Sequence, residues 1–353
     1  MTGAETGEPK ITVVGTGSWG TTLAVLQARL GRPVTLLART AAEASRLRAE
    51  GQNARFLPDV PFPPGLRVEH DPAAALAGCR VLLLIAPAQT MRANVAALLP
   101  YLPEEPEQGP LLVSGAKGLE LGSLARMSAV IRAEVPPAYH ARVLSLSGPN
   151  IAKEVAAGKP AVAVAATEDP AIAQEAQALL TGGYFRIYTN TDLIGVELAG
   201  ALKNIIALGA GIADGLQAGD STKAAFITRG LAEIARLGVA AGANLFTFAG
   251  VAGVGDLIAT CASPFSRNRR LGAALVAGQT VEQFHQETGQ VAEGVPTTRA
   301  ARALAAQYGV DMPITEEMYQ ILFEGKHPLL ALAALMERDP TDELRGMGVP
   351  GSE

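Results

Sequence analysis

The chain has 353 residues, 48% of them hydrophobic and 18% charged, with a formal net charge of -5. Single hydrophobic cores stop growing at roughly 250–300 residues, so two domains are expected, and the apolar content excludes a disordered chain. The mild acidity offers no broad basic face to a nucleic acid, although it leaves room for a local basic pocket.

The first nine residues are polar and acidic, unlike a signal or transit peptide, and 1–9 reads as a loose tail. The first strand, 11–14, runs into Gly15-Thr16-Gly17-Ser18-Trp19-Gly20 and then into an apolar helix. A strand, a G-x-G-x-x-G turn and a helix in that order point to a dinucleotide. Gly15 makes the tight turn, Gly17 admits a pyrophosphate to the backbone, and Gly20 lets the helix pack on the strand. The helix N-terminus then offers free N–H groups and partial positive charge to the phosphates. The next strand, 34–38, ends at Arg39. Many NAD enzymes carry Asp or Glu there for the ribose 2′-hydroxyl, whereas an arginine favours a 2′-phosphate. NADPH is therefore favoured with NADH open; a solvated strand-end cation is the alternative reading of Arg39.

Prolines mark 56–65 and 100–110 as loops. Further strands are expected at 81–86, 111–115, 143–147, 161–166 and 185–188. Continuous apolar runs alternating with helical stretches predict a parallel, doubly wound α/β sheet of Rossmann type over 10–191. Ligands of such sheets bind outside the carboxyl ends of the strands. Three ends are chemically loaded: Pro87, Lys117 between Gly115 and Gly118, and Ser147-Gly148-Pro149-Asn150. Lys117 suits an oxyanion or a phosphate, and equally a plain turn.

The pattern changes near Asp192. Helices are expected at 197–213, 221–237, 268–276, 297–307 and 315–324, punctuated by Gly238, Gly242, Gly278, Gly309 and Pro328, so 192–353 reads as all-helical. The stretch 197–212 is apolar nearly all round, with Lys203 its only cation. Burial lowers a lysine pKa and makes it a proton donor near neutral pH; a lysine snorkelling from a half-exposed helix is the alternative. No apolar run is expected to reach the ~20 residues of a membrane span, because Pro87 and Lys203 interrupt the longest ones. Cys79 and Cys261 make no disulfide framework and fit a reducing, cytoplasmic compartment.

Gly253-Val254-Gly255-Asp256-Leu257 places one carboxylate in a small-residue turn, to hold a lysine or to cap a helix. Ser266-Arg267-Asn268-Arg269-Arg270 packs three arginines together, as a phosphate site or a solvated helix start. Val291-Ala292-Glu293-Gly294-Val295-Pro296 is a loop before a helix with Pro296 at its first position. Glu293 is then a surface acid or a contact of ribose or nicotinamide. No metal site is expected.

Taken together these motifs resemble the bacterial NAD(P)-dependent glycerol-3-phosphate dehydrogenases, from about Lys10 to about Glu324. The resemblance rests on the glycine turn through Thr21, on NARFLPD at 53–59, on Ala116-Lys117-Gly118-Leu119-Glu120 and Ser147-Gly148-Pro149. It rests also on ELAGALKNII at 197–206, the Asp256 turn, Ser266-Arg267-Asn268-Arg269 and Val291-Ala292-Glu293-Gly294. It implies a Rossmann domain with a helical second domain, and reduction of dihydroxyacetone phosphate to glycerol 3-phosphate for membrane lipids. It implies a homodimer without membrane insertion. Ser18, Trp19, Arg39, Ala152, Arg267, Val291 and Glu293 are implied cofactor contacts, joined by Lys117. Lys117, Gly148, Asn150, Asp256, Ser266, Arg267 and Asn268 are implied to line the substrate site, with Lys203 as the acid/base. The family usually has Ser or Thr at the place of Asn150, and an amide reaches differently from a hydroxyl.

The expected chemistry is hydride delivery to the C2 ketone. Lys203 protonates the alkoxide, Lys117 stabilises its charge and Asp256 orients Lys203, while Arg267 and Asn268 grip the phosphate. Two alternatives stay open: another two-domain dehydrogenase of the β-hydroxyacid or ketopantoate reductase type, or a non-catalytic nucleotide sensor. The arginine cluster argues against the first.

Overall fold

The computed structural model describes residues 8–289, 291–340 and 342–343. Of the tail expected at 1–9, residues 1–7 lie outside that range. The chain divides into two units. The first is Met1–Ala116, Ser128–Leu146 and Asn150–Thr191; the second is Lys117–Met127, Ser147–Pro149 and Asp192–Glu353. Each has its own apolar core. Two short segments that follow strands of the sheet, 117–127 and 147–149, thus group with the C-terminal half.

Among the described residues ten strands occur: β1 (Lys10–Val14), β2 (Val34–Leu37), β3 (Gln52–Asn53), β4 (Leu57–Pro61), β5 (Leu66–Glu69), β6 (Cys79–Leu84), β7 (Leu111–Ser114), β8 (Val143–Ser147), β9 (Ala161–Ala166) and β10 (Phe185–Asn190). Eight form one sheet in the order β10-β9-β8-β7-β6-β1-β2-β5. β1 pairs in parallel with β2 on one side and β6 on the other, and the β6–β7, β7–β8, β9–β10 and β2–β5 pairs are parallel too. β2, β7 and β8 are buried throughout, which is why their sequences are apolar without alternation. The strand order reverses at β1, so the crevice of a doubly wound sheet opens where the glycine turn begins.

The interval 56–65, expected to be loop, holds β4, which pairs antiparallel with β3. Its prolines obscure it, and they are tolerated because a two-stranded ribbon leaves N–H positions unused. β5 was also absent from the expected strands; of Leu66-Arg67-Val68-Glu69 only Val68 is buried, so no apolar run marks it.

The helices of the first half are α1 (Ser18–Arg29), α2 (Ala41–Glu50), α3 (Pro72–Leu76), α4 (Met91–Leu98), α5 (Met127–Glu134), α6 (Ala152–Ala156) and α7 (Pro170–Leu180). The second unit carries α8 (Leu193–Gly215), α9 (Asp220–Ala240), α10 (Leu245–Phe248), α11 (Asp256–Ala262), α12 (Arg267–Val276), α13 (Val281–Thr288), α14 (Gly294–Tyr308), α15 (Pro313–Phe323) and α16 (Pro328–Met336), and among the described residues from 192 onward there is no strand. α8 and the stretch Leu245–Ala262 are long and apolar enough to cross a membrane, contrary to the expectation that no run reaches that length; 94% of the α8 window is buried inside the protein, as in a core helix, and 44% of the other. A Cβ at Gly211 would sit 1.9 Å from the carbonyl oxygen of Arg269, and one at Gly272 2.0 Å from that of Leu208, so α8 and α12 touch backbone to backbone.

Two boundaries differ from expectation. Gly238 lies inside α9 rather than ending it, where the Phe248 ring fills the space of a Cβ. Pro296 is the third residue of α14, not the first. It still falls in the first turn, whose N–H groups have no intrahelical acceptor. Glu233 of α9 is 1% exposed and accepts the backbone N–H groups of Ile314 and Thr315 at 2.8 Å each. It caps α15 from a distance; burial pushes its carboxyl up to about 7 while those donors pull it down.

Candidate active site

The dinucleotide end lies in the first unit. Gly15 has φ +115, which only glycine adopts freely, and a Cβ there would strike the Ile85 carbonyl oxygen at 2.6 Å. A Cβ at Gly20 would lie 2.0 Å from the carbonyl oxygen of Gly15. Gly17 differs: a Cβ there meets no protein atom within 4 Å. Packing within the protein does not demand that glycine, and its backbone lies open to the approach of a ligand. α1 begins at Ser18 after the N-cap Gly17, without a side-chain cap and with no acid in its first turn, so its leading N–H groups suit a pyrophosphate.

The turn's side chains are held from outside. Thr16 Oγ1 donates to Glu43 Oε1 at 2.7 Å, and Ser18 Oγ donates to the Phe56 carbonyl at 2.9 Å. Asn53, fully buried, donates to the Thr16 carbonyl at 2.7 Å and to Thr21 Oγ1 at 2.8 Å. Trp19 is half-buried, its ring 6.4 Å from that of Phe185. Arg39 is exposed, and its backbone N–H donates to Glu43 Oε2 at 3.1 Å. Ala152 opens α6 and its carbonyl accepts from Thr22 Oγ1 at 3.3 Å, which ties α6 to α1. Asn150 has a buried Oδ1 without a hydrogen-bond partner among the described residues.

The second unit brings Lys203, Lys117 and Asp256 together. Asp256, 2% exposed, is the first residue of α11. Its Oδ1 accepts from Lys203 Nζ at 2.6 Å and its Oδ2 from Lys117 Nζ at 2.5 Å. Lys117 also donates to the Gly148 carbonyl at 2.9 Å. Lys203, 4% exposed, also donates to Thr260 Oγ1, whose own proton goes to the Asp256 carbonyl at 2.6 Å. An ammonium has three N–H donors. Among the described residues each lysine spends two, leaving one apiece. Burial first, and the neighbouring Lys117 charge after it, together lower the Lys203 pKa to about 8 against the pull of Asp256. Two cations on one carboxylate leave a net positive cluster, complementary to a developing oxyanion.

The arginine cluster does not act as one site. Arg269 is committed to Asp214 Oδ2 at 2.5 Å and the Ala262 carbonyl at 3.0 Å, and Arg270 lies 5.8 Å from the centre of the Phe284 ring. Arg267, at the head of α12, makes no hydrogen bond among the described residues; desolvation lowers its pKa, against the pull of the Glu293 charge. Ser266 is the N-cap of α12, its hydroxyl accepting the Arg269 N–H at 3.3 Å. Asn268 is buried; it donates to Asn204 Oδ1 at 2.9 Å and accepts the Gly294 N–H at 3.0 Å. Its amide therefore joins α8 to α14 before it can help any phosphate. Val291 is exposed just before Glu293. The residues missed in sequence were Thr260, Asn204, Glu43 and Asn53. Thr260 carried a readable cue in its place four residues after Asp256 on one helix face, Glu43 in its place three residues after the cap Thr40, and Asn53 and Asn204 in the motifs at 53–59 and 197–206.

A glycine turn at the switch point of a parallel sheet and an acid-held lysine pair in a helical unit are the equipment of a two-domain nicotinamide-dependent oxidoreductase. The family described as NAD-dependent glycerol-3-phosphate dehydrogenase matches through its N-terminal part at residues 10–173 and its C-terminal part at 192–333. The chain is similar to a glycerol-3-phosphate dehydrogenase (NAD(P)+) of Streptomyces griseus subsp. griseus, 48% identical over 95% of this chain and 98% of that one. One from Geobacter metallireducens is likewise 48% identical, over 95% and 98%. The crystal structure of a glycerol-3-phosphate dehydrogenase from Coxiella burnetii superposes with TM-score 0.87 at 36% identity, covering 94% of this chain and 99% of that chain. The chain belongs to the NAD-dependent glycerol-3-phosphate dehydrogenase family.

Proposed function

We propose that this protein reduces dihydroxyacetone phosphate to sn-glycerol 3-phosphate, reversibly, with NADH or NADPH. The observation that carries the chemistry is the Lys203–Asp256–Lys117 cluster, a buried ammonium softened to about 8 beside a second ammonium. The reduced dinucleotide supplies the hydride when bound. Lys203 Nζ holds the proton that the ketone oxygen takes up, on the N–H not spent on Asp256 and Thr260. Lys117 offers its remaining N–H to the same oxygen and shares the charge. Asp256 keeps both lysines aimed and Thr260 fixes the rotamer of Lys203. Arg267, which makes no hydrogen bond among the described residues, grips the phosphate or the dinucleotide. For Asn150, the buried acceptor supports a hydrogen bond from a ligand hydroxyl. Gly15, Gly17, Ser18, Trp19 and Gly20 seat the dinucleotide, with Arg39 at its ribose end.

In the cell the protein works in the cytoplasm as a homodimer and supplies the glycerol phosphate of membrane lipids. Its family membership supports that role, and the exposed Leu329, Leu330 and Met336 on α16 are consistent with a buried face between copies. The test is oxidation of the reduced nicotinamide followed by absorbance, with dihydroxyacetone phosphate and with unphosphorylated 2-keto acids in parallel. Turnover of the phosphorylated ketone alone is expected. Preference for the keto acids would reassign the substrate, and cofactor binding without oxidation would make the chain a sensor.

A further inference from the structure

The carboxylate of Glu43 stands where the ribose end of a dinucleotide meets the fold. It lies in the first turn of α2, directly after the β2 end that selects between a 2′-hydroxyl and a 2′-phosphate. One oxygen accepts from the Thr16 hydroxyl in the glycine turn at 2.7 Å, the other from the Arg39 backbone N–H at 3.1 Å. The Glu43 N–H is itself capped by Thr40 Oγ1 at 3.1 Å, so the carboxylate is fixed from both ends. Arg39 is exposed, and its guanidinium makes no hydrogen bond among the described residues. A cation that invites a 2′-phosphate and an anion that opposes it thus share one turn. The carboxylate also occupies the Arg39 N–H, so that backbone donor is not free for an incoming anion.

We propose that Glu43 is a specificity-determining residue that keeps the site open to the cofactor lacking a 2′-phosphate, by offsetting Arg39. The proposal rests on the reading of the glycine turn as a dinucleotide site and is independent of which ketone is reduced. Half-exposed charges interact weakly, by up to ~1 kcal/mol, so neutralising Glu43 changes 2′-phosphate affinity by about fivefold.

The experiment is calorimetric titration of the full chain with 2′,5′-ADP and with 5′-ADP, neither of which carries a nicotinamide. Glu43→Gln is expected to tighten 2′,5′-ADP about fivefold and to move 5′-ADP by less than about twofold, and Glu43→Ala to give the same selective shift. Glu43→Asp, which keeps the charge, is expected to behave as the parent. Thr16→Val removes only the hydroxyl clamp and is expected to weaken both nucleotides alike. Equal shifts for both nucleotides in Glu43→Gln, no shift at all, or the same selectivity from Thr16→Val would overturn the proposal. Failure of either nucleotide to bind the parent would instead remove the dinucleotide reading beneath it.

Discussion

The two units solve opposite electrostatic problems. The glycine turn offers backbone N–H groups and open space to a ligand that would bring its own charge, so its work is shape. The helical unit does the reverse: it buries one ammonium group and one carboxylate among apolar helices, with a second, half-buried ammonium beside them, so its work is tuning. Shape needs only neighbouring residues and a few ties, such as those from Asn53 and Glu43. Tuning needs burial, and burial is a property of a whole packed core. A change in the first unit should therefore move cofactor binding and little else, whereas one in the second should move the rate and its pH dependence.

The sharpest way to break that contrast is Lys203→Met. Loss of a positioned general acid costs typically 10²–10⁴ in rate, so kcat for ketone reduction is expected to fall by about a thousandfold with cofactor affinity unchanged. A fall of less than about tenfold, or ~1.4 kcal/mol of barrier, would exclude Lys203 as the acid. The pH dependence gives a second reading. The acid form carries the proton, so reduction by the unmodified protein is expected to be level below about 8 and to decline above it as the ammonium is lost. Oxidation of the alcohol, which needs the free amine, is expected to rise through the same value. A reduction rate still level well above that pH would show that burial does not soften this lysine.

Legibility followed the same division. The glycine turn is contiguous and could be read residue by residue. So could the parallel sheet, because strands buried on both faces are written as unbroken apolar runs; the expected strands lie within two residues of the observed ones. β5 and the β3–β4 pair escaped because edge strands carry little apolar sequence. In the helical unit, Lys203 stood out as the only cation on an oily helix, and Asp256 as the only acid in its turn. Their meeting at 2.6 Å, and the joining of Lys117 from the end of β7, are consequences of tertiary packing that no spacing announces. The basic run at 267–270 was the misleading case. Arg267, Arg269 and Arg270 look alike in sequence, but helical periodicity sends them to different neighbours, Asp214 for Arg269 and the Phe284 ring for Arg270.

That sorting of arginines yields the next largest effect. Charge-assisted hydrogen bonds contribute ~1.5–3 kcal/mol each, so Arg267→Ala is expected to raise KM for the phosphorylated ketone by about 10–100-fold while kcat changes less. Arg269→Ala is the control from within the same run. Its partners are protein atoms, so it is expected to lower the melting temperature and leave KM near the parent value. If the two variants exchanged these phenotypes, the phosphate grip would belong to Arg269 and the ion pair with Asp214 would have to open on binding.

The smallest effect should come from the first unit, and it tests whether shape alone governs there. Asn53→Ala removes two of the bonds that tie the glycine turn and the start of α1 to the β3–β4 ribbon, leaves Ser18 on the Phe56 carbonyl, and takes one donor from the Thr16 carbonyl, at a cost of ~1–3 kcal/mol. Part of that cost appears as lower stability, and part as a looser turn that must be re-ordered when a dinucleotide binds. Affinity for NADH and NADPH is therefore expected to fall together, by about fivefold, with the alkaline decline of the rate still at the same pH. Titration of reduced-nicotinamide fluorescence and a pH series on one preparation decide it. A shift of the pH profile in Asn53→Ala would mean that the ribbon helps set the protonation of Lys203, and the two units could no longer be treated as independent devices.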